Sequence, residues 1–201
     1  MKTKISLLGL SGIVFLLFTS CNHKLRILSD GWTRVTTEDK TYNNRTLFNP
    51  ELLKIIDTNA IYKECCYIQN LDSSFLGLNK SKKYQSLTYP NQSSREYFRF
   101  YSDGYCNCFI NDRVGDNYDI KDFNPESTGF RGVYFRDRNG KIRIDLFTQT
   151  SGIGDFSNLK LYVKVSSDTL YMTTKNENGG YRVFIKKSLN AELRNIKGWK
   201  K

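Results

Sequence analysis

Histidine is almost missing from this chain: His23 is the only one in 201 residues. Nucleophile activation of the Ser-His-Asp or Cys-His kind, and most catalytic zinc sites, place a histidine at the centre of the site. His23 falls instead in a stretch that reads as a tether, so these chemistries are excluded. A Cys-X-X-Cys pair at a helix start, the usual mark of a redox device, is also lacking. Dense basic runs are few, "NKSKKY" and "IKGWKK", although the formal net charge is +11. Nothing clusters like a reader of phosphates, and no nucleic-acid partner is expected. Carboxylate-only chemistry stays open, because a glycosidase needs two carboxyl groups facing one another roughly 5 to 10 Å apart. Asp103, Asp137 and Asp168 are the candidates, yet each stands at an expected turn, where Asp is favoured for its own backbone hydrogen bonds. The expectation is a protein that is not an enzyme, with no catalytic residues, no metal and no cofactor.

What is present begins with "MKTKISLLGLSGIVFLLFTSCNHK". Lys2 and Lys4 precede a weakly polar to apolar run from Ile5 to Phe18, and Thr19, Ser20 and Cys21 follow. This is a basic n-region, an h-region and a cleavage site. The run is shorter than the roughly 20 apolar residues that cross a bilayer, so residues 1–20 read as an address that is removed, not as a membrane helix. "FTSC" resembles the lipobox of bacterial lipoproteins, and that resemblance implies that Cys21 becomes the first mature residue and carries the lipid. Several acyl chains on one residue, at about 0.8 kcal/mol per buried methylene, would make attachment to the membrane durable. The implied location is the cell envelope, at the outer membrane.

Loss of Lys2 and Lys4 lowers the net charge from +11 to +9, which is still strongly basic. In an envelope the matching partners are anionic components such as lipid head groups or acidic glycans. A solvated basic surface is the alternative.

Residues 21–48 read as a lipid-anchored tether, ordered only in part. In "NPELLKIIDTNA", Asn49 can cap and Pro50 suits a first helical position, so a short helix is predicted at about 50–57. From Ala60 onward the pattern becomes alternation. "AIYKECCYIQ" is followed by "EYFRFYSDGYCNCFI", with Asp103-Gly104 as a hairpin turn, and "FRGVYFRDRNGKIRIDLFTQ" repeats the design at Asn139-Gly140. "LKLYVKVSSDTLYMTT" turns at Ser166 to Asp168, and "NENGGYRVFIKKS" closes the series with Tyr181, Val183 and Ile185. About eight consecutive strands must bury one face and manage two edges, and closure does both. The expected fold is all-β: an antiparallel up-and-down barrel within residues 49–188. A basic tail, 189–201, would form a weak helix lying across one opening.

The run of "YFRFYSDGYCNCF", "GVYFRDRNGKIRIDLF", "LYVKVSSDTLYM" and "YRVFIKK", over roughly residues 58–188, resembles the small lipocalin-like lipoproteins of Gram-negative envelopes. The Gly-X-Trp motif of lipocalins is not present in that form, since Trp32 follows Gly31 directly. The resemblance implies a lipocalin-type barrel with an apolar pocket and no catalytic residues. Two functions follow. In one, the barrel binds a small apolar or amphipathic molecule, with Phe98, Phe100, Tyr134, Phe135, Tyr162 and Tyr171 as candidate lining; core packing is the alternative fate of each. In the other, the barrel is an interaction module that contacts an envelope protein or glycan.

Four cysteines remain. Alternation puts Cys106 and Cys108 on one face, whereas only one of the adjacent Cys65 and Cys66 can share it. That spacing fits a four-thiolate zinc site poorly, since such sites use pairs two to four residues apart. In an oxidising compartment the expected use is a cross-strand disulfide joining Cys65 or Cys66 to Cys106 or Cys108, provided that the two strands are neighbours. Free buried thiols are the alternative.

Overall fold

The computed structural model describes residues 24–68, 86–87, 95–111, 119–149, 155–174 and 180–199. The expected signal segment, Cys21 and His23 lie outside these residues. Two short strands, β1 (Leu25–Ile27) and β2 (Arg34–Thr36), form a separate hairpin. The main sheet holds β3 (Ala60–Ile68), β4 (Ser86–Leu87), β5 (Arg95–Phe100), β6 (Tyr105–Asn111), β7 (Phe130–Arg136), β8 (Ile142–Gln149), β9 (Phe156–Ser166), β10 (Thr169–Thr174) and β11 (Tyr181–Ser188). Every neighbouring pair is antiparallel, and β11 pairs with β3, so eight strands close into an up-and-down barrel with β4 appended to β3. Closure removes the two free edges that the meander would otherwise expose.

The tight turns behave as their residues dictate. Asp137 Oδ1 accepts from the amides of Asn139 (2.9 Å) and Lys141 (3.0 Å). Gly104 supplies the positive φ (87°) of the β5–β6 turn, a conformation that costs glycine nothing sterically.

Ladder register sorts each strand into an inner and an outer face. Ala60, Tyr62, Phe98, Phe100, Cys106, Cys108, Tyr134, Ile142, Ile144, Leu146, Leu161, Val163, Leu170, Met172 and Phe184 form the interior. Its aromatic rings meet edge to face, Phe98 with Phe184 at 5.2 Å and Phe100 with Tyr134 at 5.1 Å between centroids. Such pairs contribute about 0.5–1.5 kcal/mol each beyond the area they bury. One end of the barrel is plugged. The helix predicted at 50–57 is a 3-10 turn, Pro50–Lys54, capped by Asn49, whose Oδ1 accepts from the Glu51 amide at 2.9 Å. Leu52 and Ile56 insert from it into the interior, and Phe48 packs on the Tyr134 ring at 5.2 Å.

Alternation misleads on the last strand. Tyr181, Val183 and Ile185 point outward, and Phe184 faces the interior with Arg182 in phase with it. "YRVFIKK" has apolar residues on both parities, so periodicity alone cannot choose. The choice is made where β11 meets β3: the register slips between Val183 and Phe184, leaving Cys65 as the extra residue of a β-bulge.

The outer face is covered by both ends of the described chain. The segment read as a partly ordered tether is structured from Lys24 onward: Val35 and Tyr42 are buried, Asn44 donates to Asp145 Oδ2 (2.6 Å), and the Thr41 carbonyl accepts from Asn158 (3.0 Å). Its polar residues thus find partners on the barrel wall, which a count of apolar residues does not foresee. At the other end, the helix Ala191–Asn195 does not lie across an opening. Leu193 and Ile196 pack against Ile61, Tyr97, Phe109 and Phe123 on the outside of the wall. Arg99, itself buried, points outward and donates through Nη2 to the Leu193 (2.6 Å) and Ile196 (2.7 Å) carbonyls. Trp199 closes this strap, its ring tilted against those of Tyr105 (4.2 Å) and Tyr42 (4.7 Å) with the Arg131 guanidinium 5.0 Å from it.

Candidate binding site at the barrel mouth

Opposite the plug, the interior changes character. Glu64, two residues beyond Tyr62 on β3 and paired with Phe184, keeps the inward phase and is only 4% exposed. Glu96 on β5 shares the parity of Phe98 and Phe100, so it too faces inward, and Arg182 enters from β11. Arg182 binds Glu64 Oε1 through Nε and Nη2, both at 3.0 Å, and Glu96 Oε2 through Nη2 at 2.8 Å. Burial alone would favour a neutral guanidine, but Glu96 and Glu64 more than reverse that and raise the Arg182 pKa above its ordinary value. Beneath them the Cys108 thiol donates to Glu96 Oε2 at 3.3 Å.

The rim continues this site. Ile110 lies directly across from Glu96 in the β5–β6 ladder and Phe130 across from Cys108, positions whose Cβ atoms stand about 5 Å apart. Trp32, half exposed, meets the Phe130 ring edge on at 5.8 Å. The turn before β2 is fixed there because the Asp30 amide donates to the Ser127 carbonyl (3.1 Å), while the Asp30 carboxylate accepts from Trp32 N, Thr33 N and the Thr33 hydroxyl. A cavity of about 460 Å³ opens among Asp30, Trp32, Ile110, Asn111, Lys121 and Asp122. That volume lies in the range of small-molecule pockets, roughly 300–1,000 Å³.

The six residues expected to line a pocket divide by face. Phe98, Phe100 and Tyr134 are inside, where Phe100 and Tyr134 belong to the packed floor; the Tyr134 hydroxyl donates to the Tyr101 carbonyl at 2.7 Å. Phe135, Tyr162 and Tyr171 point outward, away from the barrel interior, and Tyr162 borders a separate cavity of about 340 Å³ with Ile55, Ile142 and Val163. Phe135 is buried under the outer layer with Phe147 and Trp199. Tyr162 and Tyr171 alternate with the inward residues Leu161, Val163, Leu170 and Met172. Glu64, Glu96 and Arg182 were not singled out as site residues, because a charged residue in an alternating strand is read as solvent-facing. The available signal was parity: Glu96 cannot leave the face of Phe98 and Phe100 without a bulge.

The strand order β3-β5-β6 places β5 between the cysteine-bearing strands, so the adjacency that a cross-strand disulfide required is not met. All four thiols are free. Cys65 Sγ lies 3.2 Å from Cys66 Sγ at the bulge, whereas Cys106 and Cys108 are inside the barrel. Burial raises the pKa of Cys106 and Cys108, and burial with the Cys66 thiol pushes Cys65 up to about 11. Thiols so shifted stay protonated at neutral pH and are poor nucleophiles. Comparison with protein-family models, curated proteins and solved structures finds no match to the chain.

Proposed function

We propose that this protein is an envelope lipoprotein, anchored through a lipid on Cys21, whose barrel binds a small amphipathic molecule at the end opposite the plug. The observation that carries the binding reading is the polarity gradient along the barrel axis. The plugged end is a packed apolar and aromatic floor. The other end sets a charged cluster of Glu64, Glu96 and Arg182 beside an accessible aromatic and aliphatic rim of Trp32, Phe130 and Ile110. Such a wall suits a molecule whose tail rests on the rim and the upper barrel and whose head meets the polar cluster. The leader and "FTSC" support the anchor, and the protonated thiols support binding in preference to covalent chemistry.

The test is organic extraction of the purified full chain followed by mass spectrometry. The expected result is one amphiphile near one-to-one stoichiometry, enriched over its share of the host membrane. No enriched species, together with no saturable binding of a neutral apolar fluorophore, would turn the assignment toward an interaction module. Radiolabelled palmitate should appear on the chain and disappear in the Cys21→Ser variant.

A further inference from the structure

We infer that the barrel mouth selects amphiphiles with a cationic head group, an amine or ammonium, over carboxylates. This rests on the amphiphile-binding reading and specifies its ligand class. An inward arginine in an apolar barrel would ordinarily suggest capture of a carboxylate. Here Arg182 is already engaged by two carboxylates, Glu64 at 3.0 Å and Glu96 at 2.8 Å. The cluster therefore carries one net negative charge, which a cationic head would neutralise and a carboxylate would add to. Glu64 is almost fully buried, so losing its partner would leave a bare charge in the wall. The Glu96 side chain is 27% exposed and that of Arg182 30%, so a ligand reaches both while Glu64 stays enclosed.

The neighbouring rim reinforces the sign. Asp30 and Asp122 line the cavity with Lys121, and Lys121 is itself held by Asp119 at 2.8 Å. Among the described residues, the mouth and its rim thus set Glu64, Glu96, Asp30, Asp119 and Asp122 against Arg182, Lys121 and Arg95, the last across from Asn111 in the β5–β6 ladder. The same rim supplies two aromatic rings, Trp32 and Phe130, whose faces favour a cation. Charge near low-dielectric walls acts more strongly than at an open surface.

The test compares octylammonium, octanoate and octanol, which share a chain length and differ in head charge. Each is titrated calorimetrically at pH 7 into the full chain held in phosphatidylcholine nanodiscs, with the empty-nanodisc titration subtracted. Octylammonium should bind at least about tenfold more tightly than octanoate, a ratio equivalent to about 1.4 kcal/mol, with octanol between them. In Glu96→Gln that ratio should shrink to about threefold or less. Octanol binding with octanoate equal to or tighter than octylammonium would overturn the charge inference and leave the amphiphile reading standing. An undiminished ratio in Glu96→Gln would likewise overturn it. If none of the three binds, both readings fall.

Discussion

Trp199→Ala removes the residue that closes the C-terminal strap. The indole is 2% exposed and lies between Tyr105 and Tyr42, with Arg131 over its ring and its N–H donating to the Cys106 carbonyl at 3.4 Å. Truncating a buried tryptophan to alanine costs about 3–5 kcal/mol, of which each ring pair and the guanidinium contact contribute roughly 0.5–1.5 kcal/mol. For a domain of this size each kcal/mol moves the midpoint by about 2–4 °C, so the variant should melt about 6–20 °C lower. The chain has an internal reporter, because its other tryptophan, Trp32, is 50% exposed. In Trp32→Phe the remaining emission should be blue-shifted and resist acrylamide. In Trp199→Ala it should resemble an indole in water. Urea unfolding followed by circular dichroism measures the cost. A loss under about 1 kcal/mol, or ready quenching of Trp199 in the Trp32→Phe variant, would show that the strap is not docked on the wall as described.

Three further outcomes are expected. Gly132→Ala would bring a Cβ to 2.8 Å from the Asp145 carbonyl and 3.1 Å from Cys106 Sγ; this overpacking of backbone against backbone should cost about 1–3 kcal/mol by chemical denaturation. Alkylation of the native, unreduced protein should modify Cys65 ahead of Cys66, Cys106 and Cys108 and accelerate about tenfold per pH unit toward its pKa of about 11; after unfolding all four should react, and fewer would reveal a disulfide. Stability should fall at alkaline pH. Cys106, Cys108, Tyr42, Tyr101 and Tyr134 have raised pKa values in the fold, whereas the unfolded chain ionises near ~8.5 for thiols and ~10 for phenols. The unfolded state then binds fewer protons, so stability is full below about pH 8 and drops by up to about 1.4 kcal/mol per pH unit per group above it. Denaturation midpoints from pH 7 to 10 check this, and a rise across that range would refute it.

Period-two alternation, hairpin turns at Asp103-Gly104 and Asn139-Gly140, and the count of strands were enough to specify a closed antiparallel barrel. They were local signals, and strand pairing followed chain order, so little long-range information was needed. Asn49-Pro50 likewise marked the start of a short helix by capping chemistry alone, although the turn it opens is a 3-10 turn ending at Lys54.

The site was another matter. Alternation places residues on two faces but does not name the inner one when both parities are apolar, as in "YRVFIKK", and the closing ladder chose Phe184 and with it Arg182. Tyr162, Tyr171 and Phe135 are aromatic residues of alternating strands, but the pairing of those strands turned them outward. The cover supplied by residues 24–48 and 189–199 depends on contacts with strands far away in the chain, such as Asn44 with Asp145 and Arg99 with Leu193. What the sequence determined by itself was the order, direction and turning of the strands, because those depend on neighbours a few residues away. What only the tertiary structure decided was which charges ended inside the barrel, because one bulge at Cys65 and the closure of β11 on β3 set the phase that brings Glu64, Glu96 and Arg182 together.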